Sequence, residues 1–373
     1  MGNARKDRVH SEATRLLDAG VAGRVFPGGV ACLGWRDESG APVYVEAHAG
    51  RLNDAGSPTE ARTPYDLASL TKPFVAMTAL RLVARDSLGF DSQLEQFVGD
   101  ARGAVGGTAT LEQLLTHRAG LAPWGGLYLD VPHEPGTAAA RRWIVAEASR
   151  RPDEGPTSAK GGALYSDLGF ILAGELIARA AGQSLDRVVA AQVTEPLGIA
   201  DEVFFGGALS PDRKAALAKR AAPTERCDWR GRVIRGEVHD ENCAALGGVS
   251  GHAGLFGTAH GVAVFGRAML NSRAGRSNFL PRELVARALA PREGTSLRLG
   301  WDGKSAVSST AGKRLSSQTF GHLGFTGTSI WCDPVRDLVV VLLTNRVHPS
   351  RANERIKGFR PAFHDGVVGA FDA

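Results

Sequence analysis

Ala68-Ser69-Leu70-Thr71-Lys72-Pro73 places a serine and a lysine three residues apart, directly ahead of an apolar helical pattern through Phe74, Val75, Met77, Leu80, Leu82 and Val83. Residues three apart share one face of a helix, so Lys72 can reach back to the Ser69 hydroxyl. Pro73 helps fix the start of that helix, because N–H groups of the first turn are unpaired anyway. Ser69 is therefore expected at or just before the helix N-terminus, where free N–H groups and the positive dipole end favour an oxyanion. A serine hydroxyl is a poor nucleophile at neutral pH and needs a neighbouring base, which a partly buried lysine with a lowered pKa can be. Alone, Ser-x-x-Lys is also what an exposed serine and lysine at a helix start would give, so its context carries the weight.

Upstream, residues 7–20 carry an amphipathic helical pattern with Ala13, Leu16, Leu17 and Val21 on one side. A strand follows from Val30 to Trp35, then a turn at Asp37-Glu38-Ser39-Gly40 and a return strand from Val43 to Ala49. Downstream, from Pro73 to about Arg235, the chain reads as mostly helical. Its parts are a helix with Leu111, Leu114 and Leu115, a Pro/Gly/His loop from Pro123 to Gly136, and a helix from Ala138 to Arg150. A Gly/Pro loop to Gly162, a helix with Leu168, Ile171, Leu172, Leu176 and Ile177, and a short helix from Leu185 to Val193 follow.

The stretch from Leu246 to Gly257 is dense in glycine but lacks the setting of a phosphate loop, and tight backbone packing near a site is the expectation. A helix from about Thr258 to Leu270 comes next. Strands return at Thr319–Phe325, Ser329–Asp333 and Leu338–Thr344, the last a continuous apolar run suited to a central strand. A final helix after Pro361 puts Phe363, Val367 and Phe371 on one stripe.

Strands at both ends with helices between imply an α/β fold of the α+β type. A mostly antiparallel sheet, built from both termini and flanked by helices, would carry an inserted helical domain. The division expected is 1–72 with 246–373 for the sheet domain and 73–245 for the helical insert, with the active site in the cleft between them.

The chain has 373 residues, enough for one large or two medium domains. Its net charge of +5 and pI near 9.2 are mildly basic, but the arginines are spread rather than blocked, and no aromatic platform accompanies them. Nucleic-acid binding is not expected. The charged start contains no apolar segment of the secretory kind and no run is long enough to span a bilayer, so the expectation is a cytoplasmic protein without membrane contact. Cys32, Cys227, Cys243 and Cys332 form no CxxC pair and read as free thiols of a reducing compartment. Cys227, Cys243, His239, Asp240 and His252 lie close in sequence but show no HExxH or paired CxxC spacing, so no metal and no cofactor is expected.

Two of the four tyrosines head a Tyr-x-Asp: Tyr128-Leu129-Asp130, inside the proline-rich loop, and Tyr165-Ser166-Asp167, just before a strongly patterned helix that Ser166 or Asp167 can cap. The second is the better-held corner. A Tyr165 phenolate stabilised by Lys72 could take the serine proton and pass it to a leaving group. The third part is Gly321-His322-Leu323-Gly324-Phe325-Thr326-Gly327-Thr328-Ser329, where the strand edge at Phe325 can give one N–H to an oxyanion and Ser69 the other.

These three parts together resemble the serine β-lactamase and penicillin-binding-protein superfamily, and within it the class C β-lactamase branch with its esterases and D-amino-acid peptidases. Ser69-Leu70-Thr71-Lys72 matches its Ser-x-x-Lys, Tyr165-Ser166-Asp167 sits where it has Tyr-x-Asn, and His322-Leu323-Gly324 sits where it has Lys-Thr-Gly or His-x-Gly. Leu114 to Gly120, Pro196-Leu197-Gly198 and Gly254-Leu255-Phe256 fit further stretches of the family, so that the resemblance covers nearly the whole chain. It implies a serine acyl-hydrolase with Ser69, Lys72 and Tyr165 as catalytic residues and a small-molecule or peptide-like substrate; the oligomeric state stays open.

Two departures bear on the substrate. Asp167 puts an anion, in place of a neutral amide, beside a cationic lysine. His322 replaces a lysine with a mostly neutral imidazole, which would hold a substrate carboxylate less well. Both favour an ester, amide or peptide over a β-lactam. The segment Glu237 to Asn242 and the glycine-rich stretch after it resemble a subgroup linked to cell-wall fragment turnover, which implies a muropeptide amide, with His239 and His252 as additional donors to it. A broad carboxylesterase, a slow β-lactam-binding protein and an inactive sensor are the alternatives; the intact Ser69, Lys72 and Tyr165 argue against the last.

Overall fold

Seven consecutive buried residues, Leu338–Thr344, form the strand around which the sheet is arranged. The structure, a computed structural model, describes residues 2–53, 56–155 and 162–373. In chain order its strands are β1 Gly28–Arg36, β2 Pro42–Gly50, β3 Tyr65–Asp66, β4 Val203–Phe205, β5 Arg226–Cys227 and β6 Arg232–Val233. They continue with β7 Leu255–Gly257, β8 Asp302–Gly303, β9 Phe320–Leu323, β10 Ser329–Asp333 and β11 Leu338–Thr344. The main sheet runs β2-β1-β11-β10-β9-β8 and all its pairs are antiparallel. It is thus built from both ends of the chain, with a mostly helical stretch between them, as the strand pattern implies.

Alternation along β11 sends its residues to two different cores. Val340 and Leu342 join Ala31 and Leu33 under the helices Gly2–Ala22 and Ile356–Asp372, which supply Val9, Ala13, Leu17, Phe363 and Val367. Val339, Val341 and Leu343 face the other way, into a larger core with Phe265, Met269, Phe74, Met77 and Leu172. Burying a Val or Leu side chain is worth about 1.5–3 kcal/mol, so a strand covered on both faces anchors both layers. The second core continues without a break from the sheet through the Thr71–Val83 helix to the helices Leu111–Leu115 and Asp167–Ala181. Among the described residues no helix is long and apolar enough to cross a membrane.

Several boundaries differ from the sequence reading. The last helix starts at Ile356 and carries Pro361 inside it rather than before it. Buried Ile356 anchors its first turn, and Arg360 donates from Nη2 to the carbonyls of Gly324 and Thr328 at 2.8 Å each. These contacts outweigh the single intrahelical bond that proline removes. The strand expected over Thr319–Phe325 ends at Leu323, because the Gly324 N–H turns back to the Thr328 carbonyl at 2.8 Å. The helix expected to Val193 is regular only to Val189 and widens into a π-type turn over Ala190–Thr194. The Gly/Pro loop before Gly162 lies in part outside the described residues.

The glycine-rich stretch acts by close approach. A Cβ on Gly251 would lie 2.0 Å from the Phe170 carbonyl oxygen and 2.9 Å from the Gly174 nitrogen, so only glycine lets this segment lie on the Asp167–Ala181 helix. β7 then pairs with β3, and the Leu67 N–H donates to the Leu255 carbonyl at 2.9 Å. This sets the chain just ahead of Ser69. Gly251→Ala should therefore cost about 1–3 kcal/mol by overpacking against backbone. The thermal midpoint should fall by several degrees, whereas Gly358→Ala, inside the last helix with nothing within 4 Å of an added methyl, should not lower it. Equal midpoints for the two variants would contradict this packing.

Candidate active site

Ser69 occupies a short 3-10 turn, Ala68–Leu70, that runs straight into the helix Thr71–Val83. The turn is clamped from several sides. The Ala68 N–H donates to Asp66 Oδ1 at 2.8 Å, and the hydroxyls of Thr326 and Thr328 donate to the carbonyls of Asp66 and Leu67 at 2.7 and 3.0 Å. Ala68 itself has φ of 49°, a left-handed conformation that a residue with a Cβ adopts only under constraint. The result is a half-buried Ser69 hydroxyl at a tight corner.

Lys72 is fully buried, and its ammonium donates to Ser69 Oγ at 2.8 Å, Asp167 Oδ1 at 2.6 Å and the His252 carbonyl at 3.2 Å. Burial pulls its pKa down, but the Asp167 carboxylate, with Tyr165 beside it, outweighs burial and holds it above the ordinary lysine range. The expectation of a lowered pKa is therefore corrected: Asp167 makes Lys72 a fixed cation, which cannot accept the serine proton at neutral pH.

Tyr165 is half-buried, with its ring 4.9 Å from Lys72 Nζ. Burial pushes its pKa up and the Asp167 charge adds to this, while the Lys72 cation and hydrogen bonding with Lys72 and Ser69 pull it down; the net direction is upward. The resting side chain is thus a phenol, not the standing phenolate the sequence reading supposed. The alternative, Tyr128, packs edge-on against Trp229 at 5.0 Å between ring centres.

Ser166 caps the helix Asp167–Ala181, its hydroxyl accepting from the Gly169 N–H at 3.0 Å and donating to the Ala122 carbonyl at 2.7 Å. The Asp167 N–H donates to the Pro123 carbonyl at 2.8 Å, which aims its carboxylate at Lys72.

Two histidines flank the tyrosine. His322 is buried, its Nδ1 lies 2.9 Å from the Leu323 carbonyl, and burial together with Lys72 lowers its pKa to about 3. The carbonyl assigns the proton to Nδ1 and leaves a lone pair on Nε2. Its ring centre is 6.0 Å from that of Tyr165. His117 stacks on the other side of Tyr165 at 4.6 Å, accepts from the Ser166 N–H on Nδ1 at 2.9 Å, and is held well below the ordinary range by burial and by Lys72. In the sequence His117 stands out only as part of the Leu114 to Gly120 stretch. Its φ of 58° and its stack on the tyrosine are tertiary features with no local signal.

Gly324, in the His-x-Gly position, gives its N–H to the Thr328 carbonyl. Its part is spatial: a Cβ there would lie 2.5 Å from the Leu67 carbonyl oxygen. Phe325 lies in the turn beyond β9, with its side chain 49% exposed. Among the described residues neither the Phe325 N–H nor the Ser69 N–H has a hydrogen-bond partner, so the two remain available to an oxyanion.

His252 is corrected outright. Both ring nitrogens are taken, Nδ1 by Ser250 Oγ and Nε2 by Asp240 Oδ1, each at 2.8 Å, and the ring is buried. It serves through its carbonyl, which holds Lys72. His239 is buried too; its Nε2 meets Glu225 Oε2 at 2.7 Å, its N–H donates to Asp66 Oδ2 at 2.6 Å, and its ring lies 5.6 Å from Phe325. The four cysteines are unpaired and buried. Among the described residues no group of three or more His, Cys, Asp or Glu side chains is placed to hold a metal ion.

The sequence model of the family described as Beta-lactamase matches residues 13–359. The chain is 31% identical over 310 residues to a protein of Escherichia coli (strain K12) named putative D-alanyl-D-alanine carboxypeptidase, covering 77% of this chain and 70% of that one. Among solved structures it resembles a D-amino acid amidase from Ochrobactrum anthropi (TM-score 0.70, 18% identity, 98% of each chain). It also resembles EstCE1, a hydrolase with promiscuous acyltransferase activity (TM-score 0.73, 18% identity, 96% of this chain and 99% of that one).

The raised pKa values of Lys72 and Tyr165 carry a pH consequence. Asp167 raises the pKa of both, so Asp167→Asn should lower both. If the tyrosine must lose its proton to act, kcat/KM of the native protein should climb through the alkaline range, and the climb should move to lower pH in Asp167→Asn. A profile that stays in place or moves to higher pH would contradict the assignment of charges.

Proposed function

The chain belongs to the beta-lactamase family and is a serine hydrolase, and from that premise we propose that it works through an acyl-enzyme on Ser69. Ser69 Oγ attacks the substrate carbonyl carbon while its proton passes to the oxygen of deprotonated Tyr165. The oxyanion is held by the N–H groups of Ser69 and Phe325, and a donor pair of this kind is worth several kcal/mol in a transition state. As the tetrahedral centre collapses, the bond to the leaving amine or alcohol breaks and Tyr165 returns the proton to it. Water then attacks the acyl carbon, Tyr165 takes its proton, and Ser69 is released with that proton restored. Lys72 stays charged throughout and favours the phenolate form of Tyr165. The observation that supports this reading most is the buried Lys72, bonded at once to Ser69 Oγ and to Asp167, with its ammonium over the Tyr165 ring.

For the substrate, we propose an amide or peptide bond, in a muropeptide of the cell wall. The names of the relatives, a carboxypeptidase and an amidase, support acyl chemistry at nitrogen. The neutral His322 and the anionic Asp167 offer no strong anchor to a β-lactam carboxylate, which disfavours β-lactamase activity. Four unpaired cysteines are compatible with a reducing compartment and hence with work on imported fragments in the cytoplasm. The resemblance to EstCE1 supports a second reading, a broad carboxylesterase with the same machinery. The site is proposed to lie in a cleft between the sheet part, 1–72 with 246–373, and the helical part, 73–245.

Two measurements test the nucleophile and the proton carrier. A fluorophosphonate should add one adduct mass to the native protein and none to Ser69→Ala, which should also lose hydrolysis of p-nitrophenyl esters while keeping its thermal midpoint. Tyr165→Phe should lower kcat on the order of a hundredfold or more. Ester hydrolysis that survives Ser69→Ala would put the nucleophile elsewhere.

A further inference from the structure

Outside the Ser69–Lys72–Tyr165 cluster the chain carries exposed aromatic side chains that packing alone does not explain. Trp124 is 49% exposed, Trp229 37% and Leu129 67%. All three belong to one surface. Trp124 and Leu129 both approach Gly126, where an added Cβ would lie 3.6 Å from the Trp124 ring and 3.2 Å from Leu129. Tyr128 meets the Trp229 ring edge-on at 5.0 Å, with the planes 66° apart.

This surface is built and held, not loose. Asn242, itself buried, donates from Nδ2 to the Gly125 carbonyl at 2.7 Å and accepts from the Tyr128 N–H at 3.0 Å. Arg230 donates to the carbonyls of Val238 and His239 at 2.7 and 2.6 Å and lies over Trp229, with 5.6 Å from its guanidinium carbon to the ring centre. Two links tie it to the mouth of the Ser69 site. The Asp167 N–H bonds to Pro123, the residue before Trp124, and His239, whose carbonyl holds Arg230, lies against the Phe325 ring.

The chemistry selects among occupants. Half-exposed tryptophans on a rigid frame are the mark of a binding surface. The arginines beside it are engaged within the protein, Arg351 with Glu225 and Glu241 and Arg230 with two carbonyls. An anionic ligand is therefore disfavoured. Among the described residues the indole N–H groups of Trp124 and Trp229 and the Tyr128 hydroxyl have no hydrogen-bond partner, and they stand at the edges of the apolar faces. An alkyl or aryl acyl group would use the faces and leave three donors idle. A pyranose ring uses both, its C–H face on the rings and its hydroxyls on the donors.

We propose that Trp124, Tyr128 and Trp229 form a sugar subsite at the mouth of the catalytic site, which takes the pyranose part of a substrate whose acyl bond lies at Ser69. The proposal rests on the reading of Ser69 as the nucleophile only for its place in the reaction, and binding to the subsite can be measured without turnover. N-acetylmuramoyl-L-alanine is titrated into Ser69→Ala protein while the indole N–H resonances of Trp124 and Trp229 are followed by NMR. Saturable shifts of both resonances are expected. Affinity should fall at least tenfold in Trp124→Ala and Trp229→Ala made in that background, and by less in the Phe variants, which keep the apolar face and lose the donor. Hexanoate and benzoate at the same concentration should leave both resonances in place. The proposal is overturned if the sugar derivative moves neither resonance, if the substitutions leave its affinity unchanged, or if the two acids bind there and it does not. A failure of fluorophosphonate labelling in the native protein would instead count against Ser69 as nucleophile, and binding by the subsite would stand apart from it.

Discussion

A buried ammonium group organises this molecule. Lys72 has no contact with water, and an unpaired charge in such a place costs several kcal/mol. Its three partners come from three separate stretches: Ser69 one helical turn back, Asp167 at the head of a distant helix, and the His252 carbonyl from the glycine-rich segment. Each stretch is held by its own device. Ser69 has the clamped turn after β3, Asp167 the Ser166 cap and the Pro123 carbonyl, and His252 the Asp240–His252–Ser250 chain of hydrogen bonds. Satisfying one cation thus draws the sheet and the helices Thr71–Val83 and Asp167–Ala181 to one point.

The same interaction decides which group can move a proton. A lysine buried without an anion would be pushed toward neutrality and could act as the base. Asp167 prevents this, and leaves Tyr165, between His117 and His322, as the group beside Ser69 able to carry one. Both histidines are held neutral by burial and by Lys72, so neither competes with Tyr165 for the cation. The carboxylate also makes the pair with Lys72 formally neutral, which removes a positive anchor from the site.

Much of this was legible in the sequence because it is local. The Ser-x-x-Lys spacing, the cap at Ser166, the apolar run of β11 and the glycine density after Leu246 all express geometry within a few residues. What was not legible depends on distant parts of the chain. His252 and His239 read as donors, yet Asp240 and Ser250 hold both ring nitrogens of His252, and Glu225 holds Nε2 of His239. The direction of the Lys72 shift turned on a carboxylate 95 positions away, and the start of the last helix on Arg360 reaching the Gly324 turn. Aromatic side chains scattered at Trp124, Tyr128 and Trp229 gave no sign of a common platform until the loop between them was closed by Asn242.

The most direct test of this account is the ionisation state of Lys72. With lysines labelled at Cε and the resonance of Lys72 assigned through Lys72→Arg, its chemical shift is followed from about pH 6 to about pH 9, a range below the ordinary lysine pKa. The account predicts a shift of the charged form across the whole range, and a fall in its pKa when Asp167 is replaced by Asn. A Lys72 that is neutral near pH 7 in the native protein would contradict it, and would return the role of base to the lysine.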